Sequence, residues 1–270
     1  MKDVFAKWAV VTGASSGIGE NFAKQLAQEG LNLILVARRE DRLQALAQEL
    51  KSKSSIEVEV LTADLSEENS CREIFTKSTA KGRKIHVLIN NAGSGFYGPF
   101  LNQDMNAYKT MIKLNVLALT ELSHYFLEHM KTHGEPSYLT NIASVTAYHT
   151  VPHFNVYGST KHYVHNFTLA LAAEYKDSNI HITCVNPGAT ETEFIARATA
   201  GIRPIGQLGL MKSSVVASMA IRAMKKHQTN IITGCFNWIT AHFLSLLPKS
   251  MEICLSHRVM ESAVHWKPKA

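Results

Sequence analysis

The chain has 270 residues, of which 46% are hydrophobic and 19% are charged, as is typical of a globular protein with a large core. Its formal net charge is +6, but the basic residues are scattered, with no run longer than the pairs Arg38-Arg39 and Lys225-Lys226. A nucleic-acid-binding surface would show a basic stripe or arm, so the composition argues against that class and suits anionic small molecules.

The cysteine and histidine patterns indicate neither disulfides nor a metal site. The four cysteines are far apart, with no C-x-x-C motif, which predicts reduced thiols in a reducing compartment. None of the thirteen histidines lies in an H-E-x-x-H motif or next to a cysteine, so packing or surface roles are favoured and no metal is predicted. The first eight residues carry charges and no apolar core, so we expect no secretory signal and a cytoplasmic protein.

A glycine-rich turn follows the first predicted strand. Residues 9–12 are a short apolar run typical of a buried strand, and apolar residues recur at helical spacing after residue 18. Between them, Gly13 permits a sharp turn, Gly17 lets the backbone approach a pyrophosphate, and Gly19 allows close helix–strand packing. A helix N-terminus offers free N–H groups to phosphate, so we predict a dinucleotide-binding turn, although such turns also occur without a ligand.

The second predicted strand, 32–37, ends at Arg38-Arg39. In a dinucleotide-binding fold this point faces the adenine ribose, where an acid selects NAD and an arginine accommodates the 2′-phosphate of NADP. The alternative, that both arginines only solvate a helix start, is disfavoured because cations oppose the dipole at a helix N-terminus. We therefore infer NADP(H) as the cofactor.

Strands and helices alternate through the rest of the chain. Further strands are predicted at 56–63, 85–89, 138–142, 181–185 and 230–234, with helices that include 67–81, 104–133 and 213–227. This alternation predicts right-handed βαβ units in one α/β domain over 1–270. We expect a doubly wound Rossmann fold, with a seven-stranded parallel sheet and helices on both faces. The small polar segment 90–93 lies where such sheets bind ligands.

Asn115 lies near the middle of the predicted helix 104–133. Asparagine inside a helix is mildly unfavourable, because its side chain competes for backbone hydrogen bonds. This position hints at a function, although an asparagine on the protein surface is the more ordinary explanation.

Tyr157 and Lys161 are four residues apart, so they lie on one face of a predicted helix. A nearby ammonium group favours the phenolate and would lower the tyrosine pKa, which would let Tyr157 exchange a proton with a substrate oxygen. Ser144, thirteen residues before Tyr157, could hold that oxygen in place. Taken alone, Tyr-x-x-x-Lys also fits a solvent-exposed i,i+4 pair on a helix with no catalytic role.

Taken together, these motifs resemble the short-chain dehydrogenase/reductase family over residues 6–235, with the NADP-preferring members matching at Arg38. The shared motifs, in family order and spacing, are Thr12-Gly13-x-x-x-Gly17-x-Gly19, Asp64, Asn90-Asn-Ala-Gly93, Asn115, Ser144, Tyr157, Lys161 and Pro187-Gly188.

The resemblance implies four catalytic residues. Tyr157 is expected to be the general acid/base, and Ser144 to orient the carbonyl or alkoxide. Lys161 would tune the tyrosine and hold the nicotinamide ribose, while Asn115 would support a water relay to Lys161.

The resemblance also implies how the cofactor is held, with Asp64 at the adenine, Asn91 near the ribose, and 187–192 at the nicotinamide amide and phosphates. The predicted cofactor-binding residues are Gly13, Ser15, Ser16, Gly17, Ile18, Gly19, Arg38, Arg39, Asp64, Leu65, Asn91, Ala92, Gly93, Tyr157, Lys161, Pro187, Gly188, Thr190 and Thr192.

Two segments near the C-terminus lie outside these motifs. The glycine- and proline-containing segment 192–212 is predicted to close over the substrate as a lid. The apolar tail, 235–270, has three interpretations: a helix packed on the sheet or on a subunit partner, a wall of the substrate pocket, or an interfacial membrane helix. We favour the first, and the apolar part is too short to cross a bilayer.

The leading functional hypothesis is an NADPH-dependent oxidoreductase that interconverts a ketone and a secondary alcohol. The tail resembles that of 17β-hydroxysteroid and very-long-chain 3-oxoacyl-CoA reductases and their bacterial relatives, which implies a lipophilic 3-oxoacyl or steroid-like substrate. Relatives of this kind commonly form homodimers or homotetramers. The alternative is a regulatory or scaffold protein that binds a dinucleotide without turnover, and peripheral membrane contact is the alternative to a purely cytoplasmic location.

Overall fold

A computed structural model describes residues 7–199 and 210–263 of the chain. Within these residues the strands are β1 (Trp8–Thr12), β2 (Asn32–Ala37), β3 (Val58–Thr62), β4 (Ile85–Asn90), β5 (Ser137–Ile142), β6 (Ile180–Asn186), β7 (Thr190–Glu191), β8 (Met211–Lys212) and β9 (Asn230–Ile232). Seven of them form one parallel sheet in the order β3-β2-β1-β4-β5-β6-β9, and β7 pairs with β8. This is the predicted seven-stranded sheet, and each of its strands lies within two residues of its expected bounds.

The α-helices of the same residues are α1 (Gly17–Gln28), α2 (Glu40–Lys53), α3 (Ser70–Ser78), α4 (Met105–Ile112), α5 (Leu119–His133), α6 (Asn155–Glu174), α7 (Glu193–Ala198), α8 (Ser213–Lys225), α9 (Cys235–Ser245) and α10 (Lys249–Ala263). One face of the sheet packs against α1, α2 and α8, and the other against α3, α5 and α6. Helices therefore cover both faces, as the doubly wound Rossmann fold requires, and the central strands are buried from end to end.

The predicted helix 104–133 is interrupted. Residues Lys113–Ala118 form a π-helical segment between α4 and α5, and Asn115 lies within it. A π segment inserts an extra residue into the helical turn, so neighbouring side chains change direction relative to a continuous α-helix. Asn115 is thereby buried, at 1% exposure, rather than placed on the surface.

The predicted lid falls only partly within the described residues. Its first part forms α7 and its end forms β8, whereas 200–209 lie outside the described residues. Thr192 begins α7, where its hydroxyl accepts a hydrogen bond from the Phe194 amide.

The tail forms α9 and α10. The favoured expectation is a helix packed on the sheet or on a subunit partner. Its aromatic side chains do not pack on the sheet, since Ala241 is the buried residue of α9 while Phe236 is 77% and Phe243 56% exposed. Packing on a subunit partner stays a prediction. Among the described residues, no helix combines the length and the apolar character needed to cross a lipid bilayer.

Candidate active site

The carboxyl ends of β1, β4, β5 and β6 meet at a cavity of about 540 Å³. Parallel strands all point to the same edge of the sheet, so segments far apart in the sequence converge there. Except for Gly19, every predicted cofactor-binding residue lines this cavity, and so does Ser144.

The glycine-rich turn has the backbone that its sequence predicts. Gly13 and Gly17 have φ values of +66° and +61°, which disfavour residues with a side chain. A Cβ atom on Gly13 would lie 2.7 Å from the side-chain nitrogen Nδ2 of Asn91. Ser16 precedes α1 without capping it through its side chain, so the first N–H groups of α1 keep their capacity to bind an anion.

Gly19 does not line the cavity, and its assignment as a cofactor-binding residue stays a prediction. A Cβ atom there would lie 2.4 Å from the Gly13 carbonyl oxygen and 2.5 Å from Asn91 Nδ2. Gly19 is therefore needed for close packing of α1 under the turn, the role that its position in the motif also suggested.

Thr12 and Asn91 join the ends of β1 and β4. The Thr12 hydroxyl donates to the Ile89 carbonyl (3.1 Å) and accepts from the amides of Asn91 (2.9 Å) and Ala92 (3.0 Å). In return, Asn91 Nδ2 donates to the Thr12 carbonyl at 2.9 Å. These bonds hold segment 91–93 against the glycine-rich turn, so Asn91 shapes the cavity besides lining it.

The two arginines after β2 have different partners. Arg38 pairs with Asp64 at 3.2 Å. Burial opposes ionisation of Asp64, but hydrogen bonds from Ser66 and Arg38 outweigh it and hold the Asp64 pKa below its usual value. Arg39 instead extends across the glycine-rich turn, where it donates to the hydroxyls of Ser15 (2.9 Å) and Ser16 (2.7 Å).

Glu193, at the start of α7, binds the other side of this arginine cluster. Its carboxylate accepts hydrogen bonds from Arg39 (2.7 Å) and Arg42, and Arg197 lies 3.6 Å away. The hydrogen bonds from Arg42 and Arg39 lower the Glu193 pKa to about 2. Sequence reasoning missed Arg42, Glu193 and Arg197, because no local motif marks a pairing between segments more than 150 residues apart.

Tyr157 and Lys161 lie in the first two turns of α6 and are 7% and 5% exposed. Lys161 Nζ donates to the Ile142 carbonyl at 2.7 Å and lies 5.8 Å from the centre of the Tyr157 ring. Ser144 follows β5, where its hydroxyl accepts from the Thr146 amide at 3.2 Å and also hydrogen-bonds to the Tyr157 hydroxyl. The structure thus brings together the three side chains that the sequence singled out.

The expected lowering of the tyrosine pKa is wrong for the protein chain by itself. Burial raises the pKa of Tyr157 to about 12, and the hydrogen bond with Ser144 offsets only part of this effect. Burial also lowers the pKa of Lys161 to about 8. The cost of removing both groups from water therefore exceeds the attraction between the phenolate and the ammonium group.

Asn115 lies behind Ser144, Tyr157 and Lys161 rather than in the cavity wall. Its side-chain amide donates to the Ser94 carbonyl (2.9 Å) and the Thr160 hydroxyl (3.0 Å), and its Oδ1 accepts from the Ser94 amide (3.0 Å). Asn115 therefore ties the loop after β4 to α6, one residue before Lys161.

Aromatic side chains surround the Tyr157 ring. Phe154 stacks on it at 4.2 Å between ring centres, and Phe194 of α7 approaches to 5.3 Å. A Cβ atom on Gly95 would lie 2.6 Å from the Phe194 ring, so this glycine leaves room for the cluster. Phe194 was not marked by any motif, since its contact with Tyr157 depends on the position of α7.

The chain is similar to known proteins over most of its length. The family model described as short chain dehydrogenase matches residues 7–202. Sulfoacetaldehyde reductase 2 of Chromohalobacter salexigens is 33% identical over 193 residues, which cover 71% of this chain and 76% of that protein. Very-long-chain 3-oxoacyl-CoA reductase-B of Danio rerio is 34% identical over 250 residues, 91% of this chain and 77% of that protein.

A solved structure gives the same result. The short-chain dehydrogenase from Sphingobium yanoikuyae in complex with NADPH superimposes with a TM-score of 0.79 at 30% identity, over 90% of this chain and 97% of that one. The extent of the family match and the identity to these relatives agree with the resemblance found in the motifs. The chain belongs to the short-chain dehydrogenase family of oxidoreductases.

Proposed function

We propose that the protein is an NADPH-dependent oxidoreductase that interconverts a ketone and a secondary alcohol. The observation that carries this proposal is the placement of Ser144, Tyr157 and Lys161, which line the same cavity as the glycine-rich turn. A proton donor, an oxygen-orienting hydroxyl and a dinucleotide cradle in one space are what carbonyl reduction requires.

The residues present fit a dinucleotide. Gly13 and Gly17 line the cavity with backbone alone, and the uncapped start of α1 favours a pyrophosphate. Segment 187–192 and Lys161 would hold the nicotinamide end, with Asp64 at the adenine. When bound, NADPH supplies the hydride that the carbonyl carbon accepts.

The arginine cluster supports NADP(H) over NAD(H). Among the described residues, the ion pairs of Arg38, Arg39, Arg42 and Arg197 are with two carboxylates, Asp64 and Glu193, so the arginines outnumber their paired acids by two. A 2′-phosphate carries a comparable negative charge and binds guanidinium groups with charge-assisted hydrogen bonds. The Sphingobium yanoikuyae relative, whose structure is described with NADPH, is consistent with this preference.

Tyr157 is proposed to protonate the substrate oxygen. With a pKa near 12 it carries its proton at neutral pH, as an acid in the reductive direction must. Ser144 would hold the carbonyl oxygen beside the phenol, and the positive charge of Lys161 would favour the phenolate as the proton leaves. Asn115 would act as a positioning residue, through its hydrogen bonds to Ser94 and Thr160.

The walls of the cavity near Tyr157 suit a lipophilic ketone of the 3-oxoacyl or steroid-like class. Val151, Phe154, Phe194, Ile195 and Leu210 line the cavity, and the rings of Phe154 and Phe194 contact that of Tyr157. Apolar side chains there would bury apolar substrate surface, worth roughly 25 cal/mol per Å². The similarity to a very-long-chain 3-oxoacyl-CoA reductase supports this class. The similarity to a sulfoacetaldehyde reductase makes a small anionic carbonyl the alternative substrate to test beside it.

The test is NADPH oxidation by the purified protein with three kinds of carbonyl: 3-oxoacyl thioesters, steroid ketones and sulfoacetaldehyde. We expect turnover with at least one of the two lipophilic classes, at a higher kcat/KM than with sulfoacetaldehyde. NADPH binding without turnover of any carbonyl would instead favour a regulatory or scaffold protein.

We also propose that the protein is a homo-oligomer, a dimer or a tetramer. Apolar side chains are exposed around α4 and the π segment, with Leu101 at 90%, Met105 at 55% and Leu117 at 51% exposure. Light scattering after size exclusion should give the mass of a dimer or tetramer, and Leu101→Ser with Leu117→Ser should shift it towards the monomer. A wild-type mass equal to one chain would refute this proposal.

A further inference from the structure

The two tail helices present apolar side chains to solvent and polar side chains to the protein. On α9, Asn237 and Thr240 point inward with the buried Ala241, while large apolar residues point outward. Helix α10 repeats the pattern, since Glu252 and Ser256 are buried. We call the outward residues the tail face: Phe236, Trp238, Ile239, Phe243, Leu246, Met251, Ile253 and Leu255, all exposed.

Specific polar contacts fix this orientation. Asn237 Nδ2 donates to the Thr233 carbonyl at 2.7 Å, and its amide group fills the space beside Gly188. Glu252, at 3% exposure, accepts from the Thr150 amide and pairs with Lys249 at 2.9 Å. Turning either helix over would bury the apolar residues but would break these bonds. The tail face is therefore the surface that the docked helices present.

The charges around the tail face are of one sign. Between residues 228 and 258 the only acidic residue is Glu252, which is buried and paired. Of the two exposed charged residues of this segment, Lys249 is paired with Glu252, so Arg258 supplies the exposed positive charge. The remaining sequence, 259–270, contains one acid, Glu261, and two lysines, so it adds a further positive charge.

We propose that the tail face binds the surface of a lipid bilayer that contains anionic phospholipid. Helices with aromatic and aliphatic residues on one side and cations at the rim lie in the interfacial region, where acyl chains meet headgroups. Anionic headgroups supply the opposite charge and attract Lys and Arg side chains near the surface. The bilayer thus complements both features of the face.

A second copy of the chain fits this face less well. In a two-fold interface each tail face would meet its own copy, and Arg258 would find no exposed acidic residue of segment 228–258 on the other copy to pair with. The exposed apolar residues around α4 are a separate surface, which the assembly proposed above uses.

Membrane docking would also place the substrate pocket beside the lipid. Thr150, which binds Glu252, belongs to the loop between β5 and α6, and His149, Val151 and Phe154 of this loop line the cavity. A lipophilic ketone could then enter from the bilayer. This consequence rests on the proposed function, whereas lipid binding itself does not.

The test is flotation of the full chain with vesicles of phosphatidylcholine, alone or mixed with phosphatidylglycerol, without cofactor or substrate. We expect binding to the anionic vesicles that weakens at high salt, and little binding to phosphatidylcholine alone. Phe236→Ser with Phe243→Ser should weaken vesicle binding at least about tenfold, because neither serine can bury a phenyl ring among the acyl chains. The matched control is Val215→Ser on α8, an apolar residue exposed at 43% outside the tail face.

A second measurement uses the wild-type protein, so it does not depend on the folding of a variant. Brominated acyl chains should quench Trp238 fluorescence on binding, and Trp238→Phe should remove most of that quenching. Absence of flotation with anionic vesicles, or equal binding by the double variant and Val215→Ser, would overturn the proposal. A double variant that changes oligomeric mass, in a protein that binds no vesicles, would instead assign the face to a second copy. Because no turnover is measured, failure here is distinct from failure of the proposed activity.

Discussion

Helices α6 and α9 depart from the ordinary distribution of side chains in opposite directions. Helix α6 buries Tyr157, Thr160 and Lys161 although all three are polar, whereas α9 exposes Phe236 and Phe243 although both are aromatic. Soluble proteins rarely bury a lysine without an anionic partner, and they rarely expose a contiguous group of aromatic residues. Each departure marks a place where the chain is proposed to meet something outside itself: a reacting carbonyl at α6 and a lipid surface at α9.

The cost of the two departures also differs. Burial of Lys161 moves its pKa from 10.5 to about 8, so the fold works against its charge at the point where that charge is proposed to act. Phe236 is exposed in the folded protein, so its side chain contributes little to the stability of the fold. We therefore expect substitutions in α6 to change chemistry strongly, and those in the tail face to leave folding and chemistry almost unchanged.

The largest effect is expected for Tyr157→Phe. Loss of the proposed acid should lower kcat by about 10²–10⁴-fold, while the NADPH dissociation constant stays within about threefold. The measurement is ketone-dependent NADPH oxidation together with a fluorescence titration of the cofactor. The matched control, Tyr163→Phe, removes a hydroxyl of the same helix that bonds to Thr120 and to no other described residue, and it should retain full activity. Near-normal turnover by Tyr157→Phe would assign the proton to another donor.

A smaller effect is expected at the arginine cluster. Arg38→Asp and Arg39→Ala should each weaken NADPH about ten- to hundredfold and NADH far less, because the lost guanidinium pairs with phosphate. Conversely, Glu193→Gln should tighten NADPH several-fold, since it frees Arg39 and Arg42 from a competing carboxylate. Isothermal titration with both cofactors checks this. Equal losses for NADPH and NADH would refute the assignment of the 2′-phosphate.

The pH dependence of reduction should reflect Lys161. Its pKa of about 8 means that the ammonium loses its proton as the pH rises above 8, while Tyr157 stays protonated up to about pH 12. At saturating NADPH, kcat/KM for the ketone should therefore fall above pH 8, by about tenfold per pH unit. Lys161→Arg should move this decline to higher pH because guanidinium stays charged. A flat profile from pH 7 to 10 would contradict this role of the lysine.

The smallest effect is expected for the stability of a tail-face variant. Phe236→Ser should change the free energy of unfolding by no more than about 0.5 kcal/mol, because the ring has few partners to lose. Phe126→Ala, which removes a fully buried ring from α5, should lower the free energy of unfolding by about 3–5 kcal/mol. Urea denaturation of both variants gives the comparison. A large loss for Phe236→Ser would mean that this side chain packs within the chain.

Much of the fold could be predicted from the sequence, because local sequence patterns favour the same strands and turns that the folded structure contains. Apolar runs mark the strands, and the glycines of the first turn have the positive φ values that favour glycine. Ser144, Tyr157 and Lys161 could be placed together because the end of β5 and the start of α6 lie at the same edge of the sheet.

The remainder depended on contacts that no local pattern encodes. Asn115, in the π segment, hydrogen-bonds to Ser94, which lies 21 residues away in the sequence. Glu193 pairs with Arg39, which lies 154 residues away. The sign of the Tyr157 pKa shift was also beyond the sequence, because it depends on how completely α6 is buried. Likewise, the composition of the tail could not show which side of its helices faces the protein, whereas in the structure Asn237 and Glu252 hold them with apolar residues outward.

The central claim is that Tyr157 and Ser144 share one substrate oxygen. It is tested most directly by a crystal structure with NADPH and an unreactive analogue of a ketone that the enzyme turns over. We predict that the analogue's oxygen lies about 2.5–3.2 Å from both Tyr157 Oη and Ser144 Oγ. An oxygen held by other side chains, with Tyr157 beyond hydrogen-bonding distance, would contradict the account.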